Sequence, residues 1–201
     1  KNSKSTINFP LLIRIIDTRL STERIHAMND RQFEEHVGRI CRNEKEGLKA
    51  IYEEYCPLIY SVVLEILHNR EDAEDVASEF FIRLWDIADT YRPGNGHRAW
   101  MITIAHNLAI DYVRKHRRED LSAEIPDHLQ TGESFPEDQL CQKLSFEQAL
   151  RTLKEEERQI VHLKIMGELT FREIASLLKK PQGTVAWCYR TAIRKLREVQ
   201  L

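Results

Sequence analysis

The sequence predicts an all-α protein with two small helical domains, residues 30–118 and 143–201, joined by an acidic linker. Apolar residues recur at steps of three and four along most of the chain, which is the period of an amphipathic helix. Glycine and proline are scarce, at seven and six of 201 residues, and no regular strand-and-turn alternation is visible. Residues 119–142 contain seven acids and no lysine or arginine, which is typical of a linker.

The first domain is expected to begin with a short helix from Asp30 to Arg42. A longer helical pattern starts near Glu46 and contains a proline, Pro57. Proline lacks the backbone N–H that an inner helical turn needs, so Pro57 predicts a kink or a break near Cys56.

A third helix should start at Asn69, because asparagine is a good N-cap and the acids Glu71 and Asp72 suit the positive end of the helix dipole. Its apolar stripe leaves a charged face outside. The residues predicted on that face are Asp72, Asp75, Glu79, Arg83 and Asp86. The face is either a solvated surface or a docking surface for a macromolecular partner.

A fourth helix is expected after the turn at residues 92–96, and it ends in the basic run of residues 114–118. Cations contact phosphates and aromatic faces stack on exposed bases, so a basic helix with aromatic residues suits nucleic acid. The candidate contacts are Arg98, Trp100, His106, Asn107, Asp111, Arg114 and Lys115. Burial in the core explains Trp100 equally well.

The second domain follows the pattern of a helix-turn-helix motif, with two short helices and a tight turn. Thr170 and Glu173 predict a capping box, while Leu169 and Ile174 predict a hydrophobic staple. Pro181 suits the first position of the last helix. The residues predicted on its outer face are Gln182, Thr184, Ala186, Trp187, Arg190, Arg194 and Lys195. The basic character of this face favours DNA.

Several classes of function are not expected. No apolar run approaches the roughly 20 residues that span a bilayer, and residues 1–29, taken as an extension, do not resemble a secretion signal. The four cysteines are far apart, so neither a metal site, a cofactor nor a disulfide is expected, and a cytoplasmic protein is the default. No catalytic residues are assigned, because no metal-binding carboxylate cluster, phosphate loop or Ser/His/Asp set is found.

The sequence resembles a known family. Residues 71–85 (EDAEDVASEFFIRLW) are similar to the second conserved region of bacterial sigma factors, and residues 99–115 continue the match. Residues 169–175 (LTFREIA) and 181–185 (PQGTV) resemble the fourth region. The two regions are separated only by the short linker, as in the extracytoplasmic-function (ECF) group, and the resemblance covers about residues 30–199.

The resemblance implies a protein that binds core RNA polymerase and directs promoter recognition, DNA opening and transcription initiation. The acidic helix would dock on the clamp coiled coil of the largest polymerase subunit. The basic helix would bind and open the −10 element, with Asn107 near a position that captures a flipped base. The last helix would enter the major groove at the −35 element. Further expected partners are the flap of the second-largest subunit and an anti-sigma factor, and the linker would run towards the active-centre channel.

One departure and two alternatives accompany this interpretation. Family members often carry a basic residue, serine and arginine after the Thr-Val pair, whereas this chain has Ala186-Trp187-Cys188, which predicts a different or weaker −35 contact. A helix-turn-helix regulator that binds duplex DNA as a dimer explains residues 143–201 but not the acidic and basic helices of the first domain. A nucleic-acid enzyme would need a catalytic set that the sequence does not contain.

Overall fold

The computed structural model describes residues 28–94, 96–119 and 152–198, and for residues 117–119 it describes the backbone only. These residues form seven α-helices and one 3-10 helix and contain no strand, so the all-α prediction is confirmed. The chain divides into two compact units. The predicted extension as far as residue 27 and the acidic linker beyond residue 119 lie outside the described residues. The domain boundaries therefore remain predictions.

The first unit contains four helices: α1 (Asp30–Cys41), α2 (Lys45–Leu67), α3 (Arg70–Ile87) and α4 (His97–Glu119). A 3-10 turn, Ala88–Thr90, follows α3. The second helix packs against α1, α3 and α4. It contributes a buried stripe to the core of this unit, and the other three helices each turn their apolar side towards that core.

Side-chain caps fix where the helices of this unit begin. Asn69 accepts hydrogen bonds from the backbone N–H groups of Glu71 and Asp72, so the predicted N-cap of α3 is confirmed. Asn29 forms a capping box with Gln32 at the start of α1, a cap that was not predicted from the sequence.

Of the kink or break predicted at Pro57, the break is excluded, because α2 runs as one helix from Lys45 to Leu67 with Pro57 inside it. A proline inside a helix costs about 3 kcal/mol or more. The buried stripe of α2 is long enough to outweigh that cost, since each fully buried aliphatic or aromatic side chain contributes about 1.5–3 kcal/mol. Tertiary packing thus overrides the local preference.

An aromatic cluster around Phe33 fastens α1 to the rest of the unit. The Phe33 ring is stacked on the His97 imidazole at 4.7 Å between centroids. It also meets the rings of Tyr55, Tyr91 and Trp100 edge-on at 6.1, 5.1 and 6.3 Å. Edge-to-face pairs of this kind are favourable beyond the area they bury.

A chain of side-chain hydrogen bonds runs through the same cluster. His97 Nδ1 is hydrogen-bonded to the carboxylate of Asp30, and His97 Nε2 lies 2.5 Å from the hydroxyl of Tyr55. In the Nδ1–H tautomer His97 donates to Asp30 and accepts from Tyr55, which satisfies both ring nitrogens. This chain links α1, α2 and α4, because one residue comes from each helix.

The second unit contains α5 (Glu155–Ile165), α6 (Phe171–Leu178) and α7 (Gln182–Glu198). Both α5 and α6 pack against α7. Its small core is centred on Leu153, Val161, Ala192 and Leu196, with Tyr189 and Ile193 packed around them. Within the described parts of the chain, no helix is long and apolar enough to cross a membrane.

The turn chemistry of this unit follows the sequence closely. The capping box of Thr170 and Glu173 is confirmed, and Leu169 and Ile174 are both buried, as a hydrophobic staple requires. Pro181 was predicted at the first position of α7, but the helix begins one residue later, at Gln182. The Pro181 carbonyl accepts the N–H of Val185, so this proline still opens the first turn.

We expect Gly47→Ala to destabilise the first unit by about 1–3 kcal/mol, the usual cost of overpacking a tight contact. A Cβ at Gly47 would lie 2.5 Å from the carbonyl oxygen of His36 and 2.8 Å from Cβ of Arg39. Urea unfolding followed by circular dichroism measures the change.

Gly38→Ala is the matched control, because its nearest neighbour would be a flexible arginine nitrogen at 3.6 Å. It should be neutral or stabilise the unit by up to about 1 kcal/mol, since alanine is the better helix former. Equal effects of the two substitutions would contradict a close approach of α1 and α2 at Gly47.

Candidate nucleic-acid and protein interfaces

The outer face of α3 carries most of the predicted acidic row. Asp75, Glu79, Arg83 and Asp86 are exposed, as expected. They recur at helical spacing opposite the buried stripe of Val76, Phe80 and Leu84, so one side of α3 is charged and the other is core. We call the exposed set, together with Ile82, the α3 face.

Ile82 is a candidate interface residue that was not predicted from the sequence. Its side chain is 69% exposed and lies among the charged residues, three positions after Glu79 and four before Asp86. The helical period alone would have found it, because Ile82 falls opposite Leu84 and the rest of the buried stripe. An exposed aliphatic side chain between Glu79 and Asp86 is able to supply the apolar contact of a protein interface.

Asp72, the first acid of the predicted row, differs from the others. It is half-buried, and its Oδ1 accepts a hydrogen bond of 2.5 Å from the hydroxyl of Tyr112 on α4. Asp72 therefore lies only partly on the outer face where it was predicted, because an aromatic hydroxyl from the neighbouring helix reaches it. The Tyr112 ring is itself stacked on His116 at 3.9 Å. The bond ties the start of α3 to the last third of α4.

On α4, four of the seven predicted nucleic-acid contacts are exposed. Asn107, Asp111, Arg114 and Lys115 recur at steps of four, three and one, which places them along one side of the helix. Arg114 Nη1 lies 3.4 Å from Asp111 Oδ1, a weak surface pair that leaves the guanidinium available to a stronger acceptor. We call these four residues the α4 face.

The other three predicted contacts on α4 are drawn into the fold. His106 is only 7% exposed, and burial lowers the pKa of its imidazole. Trp100 is half-buried against Tyr91 at 5.1 Å between ring centroids. Arg98 is half-buried, with its guanidinium 5.9 Å from the centre of the Tyr55 ring. The apolar period placed His106 on the polar side of α4, but the fold buries that position as well.

On α7, five of the seven predicted contacts are exposed. They are Gln182, Thr184, Trp187, Arg190 and Arg194. Ala186 is half-buried, because it lies at the border of the packed side. The buried side is formed by Val185, Cys188, Ala192 and Leu196, and it fixes the orientation of the helix.

Lys195, which was predicted on the outer face of α7, is half-buried and makes an ion pair with α5. Its ammonium group lies 2.8 and 2.7 Å from the two carboxylate oxygens of Glu157, which is buried. Burial alone would raise the pKa of Glu157, but the hydrogen bonds from Lys195 and from the backbone N–H of Lys154 lower it below its usual value. The pair joins α7 to α5. Removing Lys195 would leave the buried Glu157 carboxylate without a counter-ion, which would destabilise the fold.

Within the described ranges, no group of three or more His, Cys, Asp or Glu side chains could hold a metal ion. The three surfaces offer different side chains for binding: carboxylates, one arginine and one aliphatic group on α3, two cations, one amide and one carboxylate on α4, and two arginines with an indole on α7.

Comparison with known proteins decides the family. Residues 51–119 match Sigma-70 region 2, and residues 149–198 match Sigma-70 region 4. The chain belongs to the sigma-70 family. The α3 and α4 faces lie in its region 2, and α6 and α7 lie in its region 4.

The relatives of this sigma factor include members of the ECF group. The ECF RNA polymerase sigma factor SigW of Bacillus subtilis is 29% identical over 174 residues, which cover 81% of this chain and 91% of SigW. The ECF factor SigK of Mycobacterium ulcerans is 26% identical over 172 residues, covering 79% of this chain and 88% of SigK. The two region matches and these relatives confirm the predicted ECF sigma factor.

Solved structures share the fold. Sigma factor RpoE from Bartonella quintana, solved in complex with the anti-sigma factor NepR, has a TM-score of 0.56 at 20% identity. The match covers 75% of this chain and 94% of RpoE. CnrH, solved in complex with the cytosolic domain of CnrY, has a TM-score of 0.57 at 16% identity and is covered over 95% of its length, against 83% of this chain.

The burial of His106 predicts that the sigma factor loses stability between pH 7 and pH 5.5. Its folded pKa lies below the ordinary value of 6.5, so the neutral ring is favoured in the fold and protonation favours the unfolded chain. His97 acts in the same direction, because burial lowers the pKa of its ring more than Asp30 raises it. His106→Gln should therefore reduce the loss of stability over this interval, as measured by urea unfolding at the two pH values.

A His106→Gln variant with the same pH dependence as the unsubstituted chain would contradict this prediction. It would mean that His106 binds its proton equally well in the folded and the unfolded chain.

Proposed function

We propose that this ECF sigma factor divides its work among three surfaces. The α3 face holds core RNA polymerase, the α4 face binds and opens the −10 element, and the outer side of α7 enters the −35 element. The chain catalyses no reaction itself and acts with polymerase in the cytoplasm. The observation that supports the division best is the contrast in charge between α3 and the end of α4, two helices tied by the bond between Asp72 and Tyr112.

The α3 face suits a protein and not DNA. Its carboxylates at Asp75, Glu79 and Asp86 would repel phosphates, whereas they complement a basic protein surface. Ile82 lies among them and supplies the apolar contact that interface centres usually contain. We assign this face to the clamp coiled coil of the largest polymerase subunit.

The α4 face suits the backbone and bases of an opened strand. Arg114 and Lys115 are exposed cations, and the weak pair with Asp111 does not prevent Arg114 from contacting a phosphate. Asn107 is exposed one turn before Asp111, and its amide can both donate to and accept from a base edge. We assign Asn107 to the capture of a base flipped out of the −10 element.

The region 4 unit suits duplex DNA. Gln182 and Thr184 are exposed in the first turn of α7, where a recognition helix meets base edges. Arg190 and Arg194 are exposed further along the same helix and can reach phosphates or guanine. We also assign the polymerase flap and an anti-sigma factor as partners, the latter by analogy with the complex of RpoE and NepR.

A helix-turn-helix regulator that works without polymerase is the second candidate, but nothing favours it. Such a protein would use α6 and α7 and would leave the α3 face without a function. Two double variants, one on α3 and one on α4, separate the roles of these helices.

Asp75→Arg combined with Asp86→Arg should lower the affinity for core polymerase more than about tenfold, because two attractive charges become repulsive. Both residues are exposed, so the fold should persist. A pull-down with purified core polymerase measures the decrease. Glu74→Arg with Asp89→Arg is the control, since both acids are exposed outside the α3 face and the change in charge is the same. Equal binding by the two double variants would reject the assignment.

Arg114→Ala combined with Lys115→Ala should weaken promoter binding by the holoenzyme. It should also reduce the steepness of the salt dependence by about one for each phosphate that is no longer neutralised. Arg42→Ala with Lys49→Ala is the control, because these cations are exposed on α2 and in the preceding loop. The measurement is the slope of log K against log salt for a duplex carrying a −10 element. If both variants keep the slope of the unsubstituted holoenzyme, the α4 face does not bind phosphate.

A further inference from the structure

Trp187 occupies the middle of the outer side of α7. Gly183, Trp187, Arg190 and Arg194 recur at steps of four, three and four, so they form one row along the helix. The indole is 60% exposed, which makes it one of the most exposed large apolar side chains among the described residues. We call this row the α7 row.

The packing of α7 holds Trp187 outside the core. Val185, Cys188, Ala192 and Leu196 are buried on the opposite side of the helix, against α5 and α6. Turning Trp187 inward would expose all of them, at about 1.5–3 kcal/mol for each large apolar side chain. The indole therefore remains available to a partner of this surface.

The surroundings of Trp187 leave room for a close approach. Helical side chains lean towards the N-terminus, so the indole lies over the turn that contains Gly183. A Cβ at Gly183 would meet nothing within 4 Å, so there is open space beside the helix backbone at this position. A partner can reach the indole and the helix backbone together.

The charge around the indole is positive. Arg190 is exposed, and its Nε donates to the carbonyl of Ala186 at 3.2 Å, which holds the side chain along the preceding turn of the helix. Arg194 is exposed one turn further on, where Glu198 lies 4.0 Å from it at the far end of α7. An apolar group beside cations suits a partner that presents phosphates next to an apolar surface.

Duplex DNA is the partner with that chemistry. Its major groove is bordered by phosphates, and thymine is the base that presents a methyl group there. We propose that Trp187 contacts the 5-methyl group of a thymine in the −35 element and reads that base through an apolar contact. The proposal rests on the assignment of α7 to duplex DNA made above and adds the base that this helix selects.

The test uses the holoenzyme and duplexes selected by it from a randomised pool. Each thymine of the upstream element is replaced in turn by deoxyuridine, which removes only the methyl group. The unsubstituted holoenzyme should bind about fourfold more weakly at one position, the value expected when one apolar carbon is removed from a buried surface. Trp187→Ala should bind the thymine duplex more weakly and should not distinguish it from the uracil duplex.

Two further variants separate a base contact from a general decrease in affinity. Trp187→Phe keeps an apolar surface, so it should retain part of the preference for thymine. Arg194→Ala should bind every duplex more weakly but keep the full preference. Because Trp187 is exposed, circular dichroism of Trp187→Ala should match that of the unsubstituted chain.

Three results would overturn the proposal. The first is an unsubstituted holoenzyme that tolerates uracil at every position of an upstream element it needs. The second is a Trp187→Ala variant that keeps the preference for thymine. The third is an equal decrease in affinity by Trp187→Ala on templates without the upstream element, which would indicate a protein partner at Trp187. If no upstream sequence is selected at all, the assignment of α7 to DNA fails, and this proposal fails with it.

Discussion

The burial of α2 against three neighbouring helices is the constraint on which the first unit depends. Because α1, α3 and α4 each present an apolar side to this core, their outer sides are determined as well. The α3 face is the side of α3 that the core leaves out, and the α4 face is the corresponding side of α4. The bond between Tyr112 and Asp72 then keeps the two helices in register. A continuous α2 is essential for this arrangement, and the packing maintains it through Pro57.

Much of this could be predicted from the sequence, because each prediction needed only one helix at a time. The period of apolar residues predicts the helices. Asn69 and Thr170 predict where α3 and α6 begin, because their side chains cap the first turn through local hydrogen bonds. The exposed carboxylates of α3 and the exposed cations of α4 follow from the same period. Ile82 belongs in this class too, since its position on the helix is as predictable as that of Glu79.

The errors concern side chains that a second helix reaches. Asp72, His106 and Lys195 all lie on the polar side of their own helices. Asp72 and Lys195 are each bound by a side chain that is distant in the sequence, and His106 is buried in the core. The period of apolar residues shows which side of a single helix is apolar. It contains no information about which neighbouring helix covers the other side. Asp30, His97 and Tyr55 were missed for the same reason, because their hydrogen bonds depend on three helices meeting.

In this account the chain gives polymerase its choice of promoter through binding at three exposed surfaces: the α3 face, the α4 face and the outer side of α7. Transcription by purified core polymerase on a pool of genomic templates, with start sites mapped by sequencing, tests that role most directly. We expect defined starts that appear only when the chain is added and share two upstream sequence elements. A chain that leaves the start sites of core polymerase unchanged would contradict it.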